Sequence, residues 1–433
     1  MKKVILNFSL IIFFPLITFA QNVLTVDEAV NIALKNNFDI LVARNNADID
    51  KINNTPGNAG MLPNLAINGS DNYSPGTNIE QKLPGGTSSS TSNSKSNSIN
   101  ATAGLSWTLF DGGKMFVTRK KLSEIQELGE IQFKEQVLQT EYNVILAYYD
   151  VIRQKQELTS INEVITYNLD RVKISQTSYN AGLSSKTSLL QAKIDLNVYQ
   201  ENAINQQSVI LASKRTLNNF LGRSADILFE VPDSIPLDFL PDKKGLSQKL
   251  DSFNTSILAS QKQINVSKLS LKEMNTLLLP KINFNAGYGM SQSNTPSGAT
   301  LMYRSYGPQI GGSISIPIFQ AGNANRQIKT AKIQLQSAEY DLESTRLQMN
   351  EQLQNALTQF ENQKQLLSIE KDNAILAKEN LEITIQRLRL GQTTSLEVSL
   401  AEGSFVESLT RLINFEFNLK VAETKLKQLI AGL

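Results

Sequence analysis

The sequence predicts an α+β membrane protein in which long coiled-coil helices join a few membrane-style strands, with the whole arrangement written twice. Three observations predict it. The features of residues 37–221 recur in order over 254–430: Asn37, Pro63 and Ile67 match Asn254, Pro280 and Phe284 at one fixed offset, and Phe110, Gly182 and Ala192 match Phe319, Gly391 and Ala401 at an offset eight residues shorter. The offset changes inside the strand-to-strand loop, where length differences are tolerated, and self-similarity on this scale marks a duplicated structural unit. All 12 prolines lie at or before Pro84, between Pro232 and Pro308, or at Pro317, which leaves two long proline-free stretches for helix. Finally, four short segments alternate apolar with small polar residues at period two, as half-wetted strands do.

Taken in order, the chain opens as an export signal. Lys2 and Lys3 precede the mostly apolar run Val4–Ile17, and Thr18-Phe19-Ala20 forms a small-residue cleavage site, so residues 1–20 read as a signal peptide. The first repeat is expected over 21–221, a linker over 222–245 and the second repeat over 246–433. Thr25 followed by Glu28 fits a capping box for a short helix at Thr25–Asn36. The helical stretch Phe38–Gly60 ends at Leu62-Pro63, and its counterpart Asn254–Leu278 ends at Leu279-Pro280, because proline pushes its predecessor out of helical geometry. Strands are expected at about 64–73 and 101–110, and again at about 281–290 and 308–319. Leu105, Trp107 and Leu109 share one face against Gly104, Ser106 and Thr108, while Ile282, Phe284, Ala286 and Tyr288 alternate with Asn283, Asn285, Gly287 and Gly289. One apolar and one small polar face fits a lipid-facing barrel with a wet lumen. The connections at 74–100 and 291–307 are nearly free of apolar residues, Thr87–Ser98 being Ser, Thr and Asn apart from Lys95, and read as long mobile loops on the outer side.

Strand gives way to helix at Asp111-Gly112-Gly113 and at Ala321-Gly322. Asp111 can cap the helix that follows, and the glycines allow a tight bend. Gly112-Gly113-Lys114 lacks the upstream glycine spacing of a phosphate loop. Long helices are expected over 114–180 and 323–390, each a rod of roughly 100 Å at 1.5 Å per residue. Leu335, Leu342, Met349 and Ala356 recur every seventh residue, with Ala331 and Ala338 between them, which is coiled-coil packing with small residues for close approach. The remaining surface is largely Gln, Asn, Glu and Lys, which fits either a solvated coiled-coil face or the wall of a water-filled tunnel. The rods reverse at Gly182 and Gly391, glycine supplying the left-handed cap. The return helices, 183–221 and 392–431, climb only part of the way back, so 38–60 and 254–278 are expected to complete each column end to end. The linker 222–245, the first short helix and the C-terminus then gather at an equatorial region midway up the rods.

Composition excludes several classes of chemistry. With Cys 0 and His 0 there is no disulfide framework, no thiolate metal site and no imidazole base or ligand. No nucleophile–base pair can be drawn, so neither catalysis nor a cofactor is expected. Net charge is +2, from 42 basic and 40 acidic residues interspersed, so there is no nucleic-acid footprint. After the signal no apolar run approaches the ~18 residues of a membrane helix. If the chain crosses a membrane, strands must do it. Four strands cannot close a barrel, since natural ones start at about eight, so the strands must be pooled in an oligomer.

The motifs Leu62-Pro63, Leu109-Phe110-Asp111-Gly112-Gly113, Ala181-Gly182-Leu183 and Leu390-Gly391-Gln392, in duplicated order, resemble the TolC family of outer-membrane efflux channels over nearly the whole mature chain. That resemblance implies a homotrimer in which three chains supply four strands each to one 12-stranded transmembrane barrel, with a helical tunnel in the periplasm and an equatorial belt. It implies a duct to the exterior for small toxic compounds or secreted polypeptides. The implied partners are outer-membrane lipid, a periplasmic adaptor (membrane fusion protein) and an inner-membrane pump of the RND, ABC or MFS class. It also implies site roles. Gly182, Leu183, Gly391 and Gln392 resemble adaptor-docking tips. Glu397 resembles the first of the carboxylates that ring the pore constriction, Thr187-Ser188 resemble the polar pair after the first turn, and Pro63, Asp111, Gly112, Gly113, Pro280 and Gly322 mark the strand–helix bends. Three residues beyond Glu397, where the best-known members carry a second acid, this chain has Leu400. Outside the resemblance, Glu397 reads as a solvated helix charge that gains meaning only if symmetry gathers several copies on an axis. A periplasmic coiled-coil scaffold would explain the helices but not the four strands, and an envelope hydrolase would need a base that a chain without histidine does not supply.

Overall fold

The computed structural model describes residues 23–82, 84–296 and 300–433, so the export signal lies outside the described residues. The fold is α+β. Helices α1 (Val26–Asn36) and α2 (Phe38–Asn53) lead into strands β1 (Asn64–Lys82) and β2 (Ser88–Asp111), and then into α3 (Lys114–Asn180) and α4 (Lys186–Phe220). The second repeat runs α5 (Lys243–Phe253), α6 (Thr255–Asn275), β3 (Lys281–Asn294), β4 (Met302–Ser315), α7 (Asn323–Arg389) and α8 (Ser395–Leu429). The rods α3 and α7 are each 67 residues and unbroken. The duplication extends to backbone torsions: Gly113 and Gly322 (φ 82° and 73°), Gly182 and Gly391 (73° and 69°), and Gly222 and Ala431 (65° and 52°) occupy the left-handed region in matching pairs.

Each short column is two helices joined end to end by one asparagine. Asn37 accepts from the amides of Asp39 and Ile40 as N-cap of α2, and its Nδ2 donates to the Phe220 carbonyl at the end of α4, at 2.8 Å. Asn254 does the same in the second repeat, accepting from Ile257 N–H and donating to the Leu429 carbonyl at 2.9 Å. One side chain thereby satisfies an orphan donor and an orphan acceptor at two helix ends. Side by side, the elements form a wall in the order α2 with α4, then α3, then α6 with α8, then α7. The heptad stripe of α7 packs as expected, with Ala331, Ala338, Leu342 and Ala356 buried. Midway up, the linker buries Phe229, Val231 and Ile235 against Ala29, Ala33, Tyr148 and Ile152, and residue 23 bridges to Glu230 in parallel. The predicted capping box of Thr25 and Glu28 is present. Helix α5 starts at Lys243, inside the expected linker.

The strands form one antiparallel sheet in the order β1-β2-β3-β4. They run much farther than alternation alone indicated, and this corrects the expected loops at 74–100 and 291–307. The β1–β2 ladder continues to Lys82 opposite Ser88, and the β3–β4 ladder to Asn294 opposite Met302. Ser, Thr and Asn satisfy ladder hydrogen bonds as well as apolar residues do. Polar residues on both faces mean water on both sides, not an absence of strand. At the opposite end β4 stops at Ser315 rather than 319, because its partner β3 begins only at Lys281, after Pro280, and Pro317 has no N–H to offer. A bulge at Leu109 then sets Phe110, not Leu109, in register with Ile282 and Ile314. The return helices begin at Lys186 and Ser395, since each reversal uses a short loop before the capping Ser185 or Thr394.

Candidate functional site

The sheet sorts its residues by face. Register places Leu65, Leu105, Ala286 and Ile310 in one row across the four strands, and Ile67, Ala103, Tyr288 and Pro308 in another. Between them lie Ala66, Gly104, Gly287 and Gln309, with Asn64, Ser106, Asn285 and Gly311 flanking. The small polar face is the concave one: Asn64, Asn68, Thr102, Ser106, Asn285 and Gln309 line a single hollow. The apolar face is exposed, with Ile67 and Ile310 at 83% and 78% relative exposure. Apolar outside and small polar inside is the arrangement of a barrel wall with a wet lumen.

The bends join the sheet to the rods rigidly. Both oxygens of Asp111 accept from Met115 N–H, at 3.1 and 3.0 Å, so Asp111 caps α3 as expected, although Gly113 occupies the N-cap position itself. At Gly112 (φ +75°) an added Cβ would lie 2.6 Å from Leu279 Cβ and 3.0 Å from the Thr276 carbonyl. The Gly112-Gly113 bend of one repeat is therefore interlocked with the Leu279-Pro280 bend of the other. Trp107 Nε1 donates to the Met61 carbonyl at 3.0 Å and ties the Leu62-Pro63 bend to β2. Beneath the sheet, Glu273 is buried and receives Thr118 Oγ1 at 2.7 Å and the Lys121 ammonium. Burial pushes its carboxyl up, but those bonds and the charges of Lys121 and Lys114 outweigh burial and hold it below the ordinary value.

At the far end of the rods the two reversals are near copies. Gly182 N–H donates to Tyr179 O and Leu183 N–H to Ser178 O, while Gly391 N–H donates to Leu388 O and Gln392 N–H to Arg387 O, the paired bonds of a Schellman cap. Leu183, Leu390, Leu396 and Leu400 are all 65% exposed or more. Ser185 and Thr394 cap the return helices by accepting from the amides of Ser188 and Glu397, so these two of the three candidate constriction residues hold equivalent positions on separate hairpins. Thr187 is exposed beside Ser188. The Glu397 carboxylate does not stand alone: it receives the Thr393 hydroxyl and lies 3.9 Å from Arg387.

Sequence reasoning missed the most enclosed polar cluster near this tip. Arg171 of α3 is fully buried. Its guanidinium meets Glu402 Oε2 at 3.0 Å, Asp195 Oδ2 at 2.9 Å, and Ser395 at both Oγ (2.9 Å) and the carbonyl (3.2 Å). One residue thus joins α3, α4 and α8. Burial pushes the Glu402 carboxyl up to about 7, with Arg171 pulling against that shift and Asp195 adding to it. The legible signal was spacing: Val164, Asn168, Arg171 and Ser175 follow the seven-residue core stripe of α3, where a charge is out of place unless paired.

A sequence model of the family described as outer membrane efflux protein matches residues 29–223 and 246–432. The outer membrane efflux protein BepC of Brucella suis is 24% identical over 321 residues, covering 73% of this chain and 69% of that protein. Outer membrane protein TolC of Escherichia coli is 22% identical over 416 residues, covering 90% and 78%. Among solved structures, the CmeC outer membrane channel of Campylobacter jejuni superposes with a TM-score of 0.77 at 15% identity, covering 94% of this chain and 85% of CmeC. VceC of Vibrio cholerae gives 0.75 at 17%, covering 94% and 96%.

Proposed function

The chain belongs to the outer membrane efflux protein family, and from that premise we propose that three copies close into one outer-membrane exit duct whose helical tunnel hangs in the periplasm. The observation that carries this reading is the coincidence of free edges. Strand order β1 to β4 follows the order α2, α3, α6, α7 below it, so β1 stands over the α2–α4 column at one margin and β4 over α7 at the other. Both marginal columns expose large apolar side chains. Phe38, Val42, Ile52, Ile194 and Ile204 are exposed on one, and Ile333, Tyr340, Leu347, Leu376 and Ile383 on the other. A margin that matches a different margin of its neighbour makes a head-to-tail interface, which stays soluble only by closing into a ring. Family membership selects three protomers, hence 12 strands.

The apolar band supports an outer-membrane site. From Ile282 to Met290 along β3 is about 27 Å at ~3.4 Å per residue. A tilt of about 40° brings that to roughly 20 Å, close to the ~25 Å band of such barrels. Lipid then contacts the apolar face, and the β1–β2 ribbon beyond Ser74 projects outside the cell. At the other end Gly182, Leu183, Gly391 and Gln392 meet the periplasmic adaptor, through which an inner-membrane pump of the RND, ABC or MFS class delivers small toxic compounds or polypeptides. Glu397 with Thr187 and Ser188 rings the constriction. Light scattering of the purified protein in detergent should give three mature chains, and planar bilayers should show discrete channels. A monodisperse monomer that keeps its full strand content would overturn the proposal.

A further inference from the structure

Resting on that reading, we propose that Arg171 is the positioning residue of the periplasmic entrance: it pins the first turn of α8, and with it Glu397, against the α3–α4 hairpin, and protonation of Glu402 tightens the pin. Four observations argue for it. Arg171 reaches the first residue of α8, Ser395, through both hydroxyl and carbonyl, and Ser395 lies beside the N-cap Thr394 that accepts from Glu397 N–H. The rotation of that first turn, and so the direction of Glu397, depends on where the guanidinium sits. Arg171 and Glu402 are closed to solvent within a single chain, at 0% and 1% exposure, while Asp195 at the edge of the cluster keeps 17%, so the burial of the Arg171–Glu402 contact needs no neighbour. Its charges do not balance, since one guanidinium serves two carboxylates, Asp195 and Glu402. Finally, Glu402 Oε1 is buried without a hydrogen-bond partner, whereas Oε2 is taken by Arg171.

A proton on Oε1 removes the surplus negative charge. It leaves a one-to-one Arg171–Asp195 pair, and Oε2 still accepts from Arg171. The titratable groups around the carboxyl are few. Arg171 and Tyr167 come from α3, Asp195 and Tyr199 from α4, and Glu382 of α7 is held by the Tyr167 hydroxyl; Leu381 and Ile385 complete the wall. Both phenols are pushed upward, first by burial, and stay protonated at physiological pH. Glu402 sits at about 7 in this arrangement against an ordinary value of 4.5. If α8 parts from α3, water reaches the carboxyl and its value returns toward the ordinary one. The pinned state therefore holds a proton that the parted state releases. Its advantage is complete below the ordinary value and is lost as pH rises through about 7, at up to about tenfold in the equilibrium per pH unit for each protomer. Acid locks the entrance and neutral pH loosens it.

The chain has no cysteine of its own, so spin labels on Leu183→Cys and Gln392→Cys report the separation of the two hairpin tips in the full-length detergent-purified protein. We expect a narrow distance distribution at pH 5.5 that broadens by pH 8, and a distribution that stays narrow at both pH values in Glu402→Gln, which keeps the acceptor and removes the charge. Arg171→Met should be broad at both, with Arg171→Lys between it and the wild type. A wild-type distribution that does not change with pH, or a Glu402→Gln protein that broadens as the wild type does, overturns the proposal. Should Arg171→Met fail to assemble, the wild-type and Glu402→Gln comparison decides alone. Bilayer recordings on the same samples separate the two readings. Channels without a pH-dependent tip reject only the pin, whereas a pH-dependent tip in a protein that forms no channel rejects the duct.

Discussion

The joint between α8 and α6 makes a quantitative test of how the short columns are held. Asn254 is 5% exposed and Leu429, whose carbonyl it binds, is 4% exposed. Asn254→Ala removes the N-cap acceptor of Ile257 N–H, worth about 1 kcal/mol, and strips the buried Leu429 carbonyl of its Asn254 donor, worth about 1–3 kcal/mol. Together that is about 2–4 kcal/mol of local stability. Asn254→Ser keeps the cap and loses only the bridge. Asn254→Asp keeps the cap but turns a carboxylate oxygen toward the carbonyl, so it should rank below serine. The matching Asn37 bonds to Phe220 in a part-exposed setting, where water can replace the lost donor, and Asn37→Ala should therefore cost less than Asn254→Ala. Hydrogen exchange followed by mass spectrometry reads this directly. A loss of 2 kcal/mol corresponds to about 30-fold less protection for the amides at 257–258, since 1.36 kcal/mol is tenfold. If Asn254→Ala and Asn254→Ser both exchange at the wild-type rate there and at 426–432, the asparagine joint carries no energy and the columns are held by side-face packing alone.

Two further expectations concern the tips. Gly182 and Gly391 lie at φ +73° and +69° with open space around each, so Gly182→Val and Gly391→Val should cost only the left-handed backbone strain, about 1–2 kcal/mol. The assembled oligomer should persist in the outer membrane while efflux of a fluorescent substrate from whole cells falls; loss of the oligomer from the membrane fraction would contradict the placement of these turns far from the sheet. Glu397→Gln keeps an acceptor for the Thr393 hydroxyl but removes a charge that lies 3.9 Å from Arg387. Divalent-cation block from the periplasmic side and cation selectivity should both weaken, as reversal potentials across a salt gradient would report. Unchanged potentials would make Glu397 an ordinary helix charge paired with Arg387.

Much of this architecture was legible in the chain alone because its determinants are local. Proline-free runs become the 67-residue helices. Glycines at 182 and 391 become left-handed caps. Period-two alternation at 101–110 becomes part of β2 in a two-faced sheet, and the offset between repeats reappears in the backbone torsions. Each of these signals is read within a few residues of where it acts. What the tertiary structure decided is non-local. The Ser/Thr/Asn runs became strand because a partner strand lay alongside, and β4 ended where β3 began rather than where its own alternation faded. Asn37 and Asn254 read only as repeat-matched residues until the ends of α4 and α8 were brought against them. Arg171 had nothing beside it in sequence to explain a charge on a core stripe. Asp195, Ser395 and Glu402 arrive from two other helices, and their spacing within the chain carries no trace of the meeting. A buried charge is stable only with its partners in place, and which partners those are is settled by how the helices pack, not by the order in which they are written.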